Sequence, residues 1–187
     1  MLNHTPNLSD KQNATQLLRA NGIKTAVVWY ALAVLVIIFD QSSKIYFENR
    51  FDLYESVSVI DPVLNWTLAY NYGAAFSFLA DQGGWQKWFF AGLASLVSLG
   101  IAYYLTKIPK HAKTLALGLG LVLGGAVGNL IDRISYGYVI DFIHVHYADV
   151  WDYPIFNIAD IGVCVGVVLI LFDSVFLESK RLNLVDS

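Results

Sequence analysis

Four long apolar segments constrain the fold of this chain more than any other feature. They are residues 25–39, 88–105, 114–131 and 155–172. The first three contain no charged residue, and the fourth contains one, Asp160. A helix needs about 20 mostly apolar residues to cross a bilayer, and each segment reaches that length when its polar end lies at the interface. Because backbone groups in lipid must be paired within the segment, helices are the expected structure.

The composition agrees with a membrane protein. Of the 187 residues, 56% are hydrophobic and 14% are charged, whereas a soluble domain carries about 25% charged residues. The net charge of −3 gives no basic surface that would indicate a nucleic-acid partner. The single cysteine, Cys164, excludes an intrachain disulfide. We predict an all-α membrane protein with four transmembrane helices.

Basic residues near the segment ends predict the orientation and the domain boundaries. They precede the first segment, join the second to the third and follow the fourth: Lys11, Arg19, Lys24, Lys107, Lys110, Lys113, Lys180 and Arg181. Such residues favour the cytoplasmic side, so both termini are expected there. We expect a flexible polar tail over 1–24, the membrane domain over 25–177, and a second tail over 178–187. The first segment lacks an A-x-A cleavage signature, which indicates an uncleaved membrane helix.

Two further patterns refine this fold. Residues 56–68 mix β-branched and aromatic residues with polar ones, which is typical of strands. They predict a small β-cradle at the extracytoplasmic membrane surface, within the loop region 41–87. Small residues at four-residue spacing allow membrane helices to approach closely, and the third and fourth segments carry them: Gly120, Gly124, Gly128, Gly162 and Gly166.

Two aspartates lie beside helix ends on the same side of the predicted bundle. Asp141 is in the run VIDF, and Asp160 is in the run FNIAD, three residues after Asn157 on one helix face. Each can be an interfacial cap or a loop carboxylate. Two carboxyl groups that lie close together instead share one proton. Such a pair suits amide hydrolysis. The ionised group takes a proton from water, and the protonated group polarises the carbonyl of the bond to be cleaved.

Charged or polar side chains at membrane depth are costly, so each one suggests a functional role. Several such residues besides the two aspartates can be either functional or structural. Asn129 is expected to line a polar cavity, whereas Asp132 and Arg133 can form a structural pair at a helix end. Asp40 and Lys44 are spaced for an interfacial ion pair. These residues lie at the predicted ends of the first and third helices.

Two runs lie outside the predicted helices. Asn71 and Gly73 indicate a turn, and the Ala74, Ala75 and Phe76 that follow suit a surface that contacts another chain or lipid. His144 and His146 fit a surface loop, although alternate residues of a strand share a face and can hold a metal.

Together these runs resemble the lipoprotein signal peptidase (type II signal peptidase) family. The matching runs are Asp40-Gln41, NxGAAF at 71–76, GGxxGNxxDR at 124–133, VxDF at 139–142 and FNxAD at 156–160. Each run is weak alone, but five in this order on a four-span chain are specific. The resemblance covers about residues 25–177, which leaves the polar N-terminal tail outside it.

The resemblance implies an aspartic endopeptidase that needs no metal or other cofactor. Asp141 and Asp160 match the catalytic aspartates of the family, and six further residues match the polar groups that shape its site: Asp40, Asn71, Gly73, Asn129, Arg133 and Asn157. The implied substrate is a prolipoprotein whose lipobox cysteine carries diacylglycerol, cleaved just before that cysteine. The implied inhibitor is globomycin. We expect a monomer in the bacterial inner membrane, in contact with lipid, with its site at the periplasmic face.

Two other classes of function remain open from the residues alone. An ion-coupled transporter or proton relay also places Asp and Asn within membrane helices, but it often has an internal repeat, which this sequence lacks. A non-catalytic assembly factor held together by its glycine-rich helices would tolerate changes at Asp141 and Asp160.

Overall fold

The chain folds as a helical bundle closed at one end by a small sheet. The computed structural model describes residues 8–73, 84–148 and 150–178. The elements, in chain order, are α1 Leu8–Glu48, β1 Ser56–Ile60, β2 Leu64–Asn71, α2 Gln86–Leu105, α3 Lys113–Ser135, β3 Val139–Tyr147, β4 Trp151–Asp152 and α4 Ile158–Phe176.

Within the described ranges, four helices are long and apolar enough to cross a membrane. They are Ala26–Glu48, Lys87–Leu105, Lys113–Ser135 and Ile158–Phe176. The predicted four-helix membrane fold is therefore confirmed. The first helix begins at Leu8, so residues 8–24, which we expected to be flexible, are helical. Most of them have good helix propensity, and continuing an existing helix avoids the cost of nucleating a new one.

The central helix is α3, which packs against α1, α2 and α4. A Cβ added at Gly118 would lie 2.7 Å from the Gly166 carbonyl oxygen, and one at Gly166 would lie 2.5 Å from the Gly118 carbonyl oxygen. Only glycine permits this backbone contact, because a real Cβ does not approach so closely. The predicted close approach of glycine-bearing helices is confirmed, although Gly118 falls outside the four-residue pattern that predicted it.

The four strands form one antiparallel sheet in the order β1-β2-β3-β4. The predicted strand region 56–68 is confirmed as β1 and most of β2. The strand β3 was not anticipated, and it carries His144 and His146, so their assignment to a surface loop is wrong. Hydrogen bonds to β2 hold this segment extended, and that pairing cannot be read from β3 alone.

Aromatic packing attaches the sheet to the end of α1. Phe47 of α1 stacks on Phe142 of β3 with ring centroids 4.2 Å apart. Both belong to a buried cluster with Leu68 and Ile140. Stacked rings add stabilisation beyond their buried area. This cluster fixes β3 against the end of the bundle at which α1 and α3 end and α4 begins.

Candidate active site

One residue, Asn157, joins the two aspartates that the sequence singled out. Asn157 caps α4: its Oδ1 accepts the Asp160 backbone N–H at 2.9 Å, and its own N–H donates to Asp160 Oδ2 at 3.2 Å. Its Nδ2 donates to Asp141 Oδ1 at 2.6 Å. The cap of the helix therefore holds the carboxyl group of β3 beside the first turn of α4.

Burial makes Asp141 difficult to ionise. The residue is 2% exposed. Burial first, and then the negative charge of Asp160, raise the pKa of Asp141 to about 7, against the opposing effect of N–H donors from Asn157 and Asn71. Asp141 therefore tends to hold its proton up to near neutral pH.

Asn129 of α3 forms hydrogen bonds with both Asp160 and Asn157 at the start of α4. Its Nδ2 donates to Asp160 Oδ1 at 2.8 Å, and its Oδ1 accepts from Asn157 Nδ2 at 3.1 Å. Asn129 also lines the cavity at the sheet end of the bundle. Asn129 therefore lies at a cavity, as expected, although apolar side chains line much of that cavity.

Arg133 connects α3 to the turn after β2. Its Nη2 donates to the Gly73 carbonyl at 3.0 Å, and its Nη1 donates to the Asn129 carbonyl at 3.4 Å. The Asn71 side chain accepts the Gly73 N–H at 3.1 Å, which confirms the predicted turn. The neighbouring Ala74, Ala75 and Phe76 lie outside the described residues.

The predicted pairing of Asp132 with Arg133 is wrong. Asp132 instead lies 2.8 Å from Lys44 Nζ and accepts from Gln41 Nε2 at 2.8 Å. Adjacent helix residues point about 100° apart, so Asp132 faces α1 while Arg133 faces the turn after β2.

Lys44 and Asp40 do form the predicted ion pair, with Nζ 2.8 Å from Asp40 Oδ2. The pair is buried within the protein, since the two side chains are 1% and 0% exposed. Asp40 also accepts the Ala159 N–H at 2.9 Å. Lys44 is not among the eight residues that the resemblance implies for the site, although a lysine one turn beyond an apolar segment is itself a signal of a buried ion pair.

A cavity of about 680 Å³ opens beside the two aspartates. Five of the eight candidate site residues line it: Asn71, Asn129, Arg133, Asp141 and Asp160. Its apolar wall includes Val139, Ile155, Phe156 and Val163. Asp40 and Asn157 are buried behind the aspartates. The cavity therefore offers two carboxyl groups to a partly apolar ligand.

The rim of this cavity carries a second polar pair. His144 Nε2 lies 2.5 Å from Asp152 Oδ1, and His144 Nδ1 lies 3.3 Å from Thr67 Oγ1. In the three described ranges, no group of three His, Cys, Asp or Glu residues is arranged to hold a metal ion. Both ring nitrogens of His144 are thus occupied by protein partners.

Comparison with known proteins identifies the family. A family model described as signal peptidase (SPase) II matches residues 32–176. The chain belongs to the signal peptidase II family. All eight candidate site residues fall within the match, and the chain is a protease of this type. The transporter and assembly-factor interpretations do not fit a protease family.

Individual relatives agree with this family over nearly their whole length. A lipoprotein signal peptidase of Acinetobacter baumannii is 46% identical over 176 residues, 94% of this chain and 96% of the relative. One from Pseudomonas fluorescens is 50% identical over 153 residues, 82% of this chain and 89% of the relative. A solved structure described as a bacterial membrane enzyme superposes with a TM-score of 0.70 at 32% identity, covering 83% of this chain and 93% of that one.

Proposed function

We propose that this enzyme removes the signal peptide from prolipoproteins whose lipobox cysteine carries diacylglycerol. It cleaves just before that cysteine and uses Asp141 and Asp160 as a catalytic dyad. The observation that carries the proposal is the bridge through Asn157, which holds both carboxyl groups at one cavity. A single chain supplies both groups, so a monomer suffices.

The dyad supplies acid and base at once. The ionised carboxylate takes a proton from a water molecule, whose oxygen attacks the scissile carbonyl carbon. The protonated carboxyl gives its proton to the carbonyl oxygen, which forms a tetrahedral intermediate. Collapse of the intermediate breaks the C–N bond. One hydroxyl of the intermediate returns its proton to the carboxylate that acted as the acid, and the departing cysteine nitrogen receives the proton that came from water. The pair is then ready for another cycle.

The position of the cavity suits a substrate that is already in the membrane. The carboxyl groups lie where membrane-spanning helices meet the sheet, so water reaches the scissile bond while acyl chains stay in lipid. The apolar wall at Val139, Ile155, Phe156 and Val163 suits the apolar side chains of a signal peptide. We place this end at the periplasmic face of the bacterial inner membrane.

The test is cleavage of a matched pair of precursors by the purified protein. The two share one sequence and differ only in the diacylglycerol on the lipobox cysteine. We expect cleavage of the lipidated precursor, with the new N-terminus at that cysteine by mass spectrometry, and inhibition by globomycin. Equal turnover of the precursor without lipid would contradict the proposed substrate class.

Membrane orientation gives a separate prediction. Basic residues flank the ends away from the sheet, so these ends are expected in the cytoplasm. Reporter fusions at Lys110 and Ser187 should read cytoplasmic, and one near Asp61 should read periplasmic. A cytoplasmic signal near Asp61 would contradict the orientation.

Replacing Arg133 with lysine is expected to lower activity about tenfold or more, with the protein still inserted. The guanidinium donates to both the Gly73 and Asn129 carbonyls. A lysine ammonium is a point charge that lacks this planar fork, so the turn at Gly73 loses its anchor to α3. The measurement is kcat/KM on the lipidated precursor, normalised to folded protein. Wild-type kcat/KM in Arg133→Lys would make the residue a bystander.

The protonation of Asp141 predicts how activity depends on pH. Its pKa is raised to about 7, so the shared proton is retained below that pH and lost as pH rises through it. Activity should therefore fall on the alkaline side with a midpoint near that value. It should also fall at low pH, when both carboxyl groups are protonated. A profile of kcat/KM that stays level to about two units above the Asp141 pKa would contradict this account.

A further inference from the structure

Lys44 lies behind the dyad, and its ammonium group contacts three acceptors. Nζ lies 2.8 Å from Asp40 Oδ2, 2.8 Å from Asp132 Oδ2 and 2.9 Å from Asn129 Oδ1. An ammonium has three N–H donors and no acceptor, so these contacts use all three. The side chain is almost completely buried. Its nitrogen therefore cannot turn elsewhere without leaving a buried acceptor unpaired.

The two carboxylates beside Lys44 are themselves held by backbone donors. Asp132 Oδ2 accepts the Ile140 N–H at 3.1 Å, and Asp40 Oδ1 accepts the Ala159 N–H at 2.9 Å. Each carboxylate therefore accepts hydrogen bonds both from Lys44 and from a backbone N–H group. Since Ile140 precedes Asp141 on β3 and Ala159 precedes Asp160 on α4, the Lys44 cluster is tied directly to both elements that carry the dyad.

The amide of Asn129 has one orientation that satisfies its neighbours. Its oxygen accepts from Lys44 and from Asn157 Nδ2, and its nitrogen donates to Asp160 Oδ1. A half-turn of the amide would place its NH₂ against the Lys44 ammonium and its oxygen against the Asp160 carboxylate. Donor would face donor and acceptor would face acceptor. Lys44 and Asn157, which both donate to the amide oxygen, therefore direct the amide nitrogen at Asp160.

With the amide in this orientation, the two carboxyl groups of the dyad differ in their hydrogen-bond donors and in their burial. Asp160 receives an N–H on each oxygen, from Asn129 at 2.8 Å and from the Asn157 backbone at 3.2 Å. It also lies in the first turn of α4, where the helix dipole favours a negative charge. Asp141 is more deeply buried, and burial disfavours the charged form.

Building on the proposed function, we propose that Lys44 is a positioning residue. It holds the Asn129 amide so that Asp160 is the ionised carboxylate and Asp141 carries the shared proton. Asp160 is then the group that takes a proton from water, and Asp141 is the group that protonates the scissile carbonyl oxygen. Lys44 touches neither the substrate nor the reacting atoms, and it acts on Asp160 through Asn129.

The experiment is a double-mutant cycle between Lys44→Met and Asn129→Ala on the lipidated precursor. Lys44→Met keeps the length of the side chain and removes its donors. We expect kcat to fall about 100-fold with little change in KM. In the double variant, kcat should equal that of Asn129→Ala alone, because Lys44 acts through that amide. Losses that multiply would overturn the proposal.

The pH profile gives a readout that a merely structural role would not move. The charged groups that face Lys44 are Asp40 on α1 and Asp132 on α3. The charge of Lys44 also reaches Asp141 on β3, and Asp160 on α4 lies beyond the Asn129 amide. Without the aligned N–H, the pair of carboxyl groups loses a donor that stabilises its singly ionised state, so the acidic limb of the kcat profile should move to higher pH.

A charge-balanced variant controls for folding and for lost charge. Lys44→Met combined with Asp132→Asn removes one charge of each sign, and it should show the same fall in kcat and the same shift. Lys110→Met, an exposed lysine in the loop between α2 and α3, should behave as wild type. If the Lys44 variants yield less folded protein but retain wild-type kcat and pH profile, the positioning role is wrong. If the wild type itself leaves the lipidated precursor uncut, the proposed function fails first.

Discussion

Replacing either Asp141 or Asp160 with asparagine is expected to reduce cleavage of a lipidated precursor by about 10⁴-fold or more. Asparagine keeps the size of aspartate and can accept some of the same hydrogen bonds. It cannot take a proton from water, nor can it give one to the scissile carbonyl. Because the two carboxyl groups act as a unit, the double variant should be no slower than either single one. The measurement is kcat of purified variants.

Controls separate this loss from misfolding. Asp52→Asn changes an exposed aspartate after α1 and should retain wild-type kcat. The two dyad variants should still bind the lipidated precursor, since neither change empties the cavity. Substantial turnover in either dyad variant would exclude the aspartyl mechanism. So would a chelator that abolishes wild-type turnover reversibly, and the histidines of β3 would then become candidate metal ligands.

Replacing Gly125 with alanine is expected to cause the largest loss of stability. A Cβ at this position would lie 2.2 Å from the Ala159 carbonyl oxygen and 2.8 Å from Val163 Cγ2. The first of these is backbone, so the start of α4 must move away from α3. Overpacking of this kind costs about 3 kcal/mol, which exceeds the roughly 1 kcal/mol that alanine gains over glycine in a helix.

Activity should fall together with stability, because Asp160 follows Ala159 directly. A displacement of about 1 Å at the reacting groups costs about 100-fold in rate. The matched control is Gly92→Ala on α2, where an added Cβ meets no atom within 4 Å. Unfolding midpoints of both variants, followed in detergent, test the pair. Equal midpoints for Gly125→Ala and Gly92→Ala would show that α3 and α4 do not pack as described.

The membrane helices could be predicted because each span is specified by its own residues. An apolar run of sufficient length has one low-energy structure in lipid, whatever surrounds it. The strand β3 lacked such a local signal. Its residues become a strand by pairing with β2, which lies about 75 residues earlier in the chain. Long-range pairing of this kind is visible only in the folded chain.

The sequence predicts which residues belong to the candidate site, but it does not predict which of them form hydrogen bonds with one another. Placing carboxyl and amide groups beside membrane helix ends costs free energy, so such residues suggest a function. This argument singled out Asp141, Asp160 and Asn129. It could not assign partners. We predicted that Asp132 pairs with the adjacent Arg133, whereas its partners are Lys44 and Gln41 on α1. Partner choice depends on the rotation of each helix about its axis, which the fold determines.

The cluster around Lys44 has a consequence for biosynthesis. Its members come from α1 and α3, and its backbone donors come from β3 and α4, so the last helix of the chain completes what the first one begins. A chain emerging N-terminus first cannot assemble the dyad until α4 has been inserted. Insertion of the last helix is therefore the step that brings Asp160 to the cavity beside Asp141.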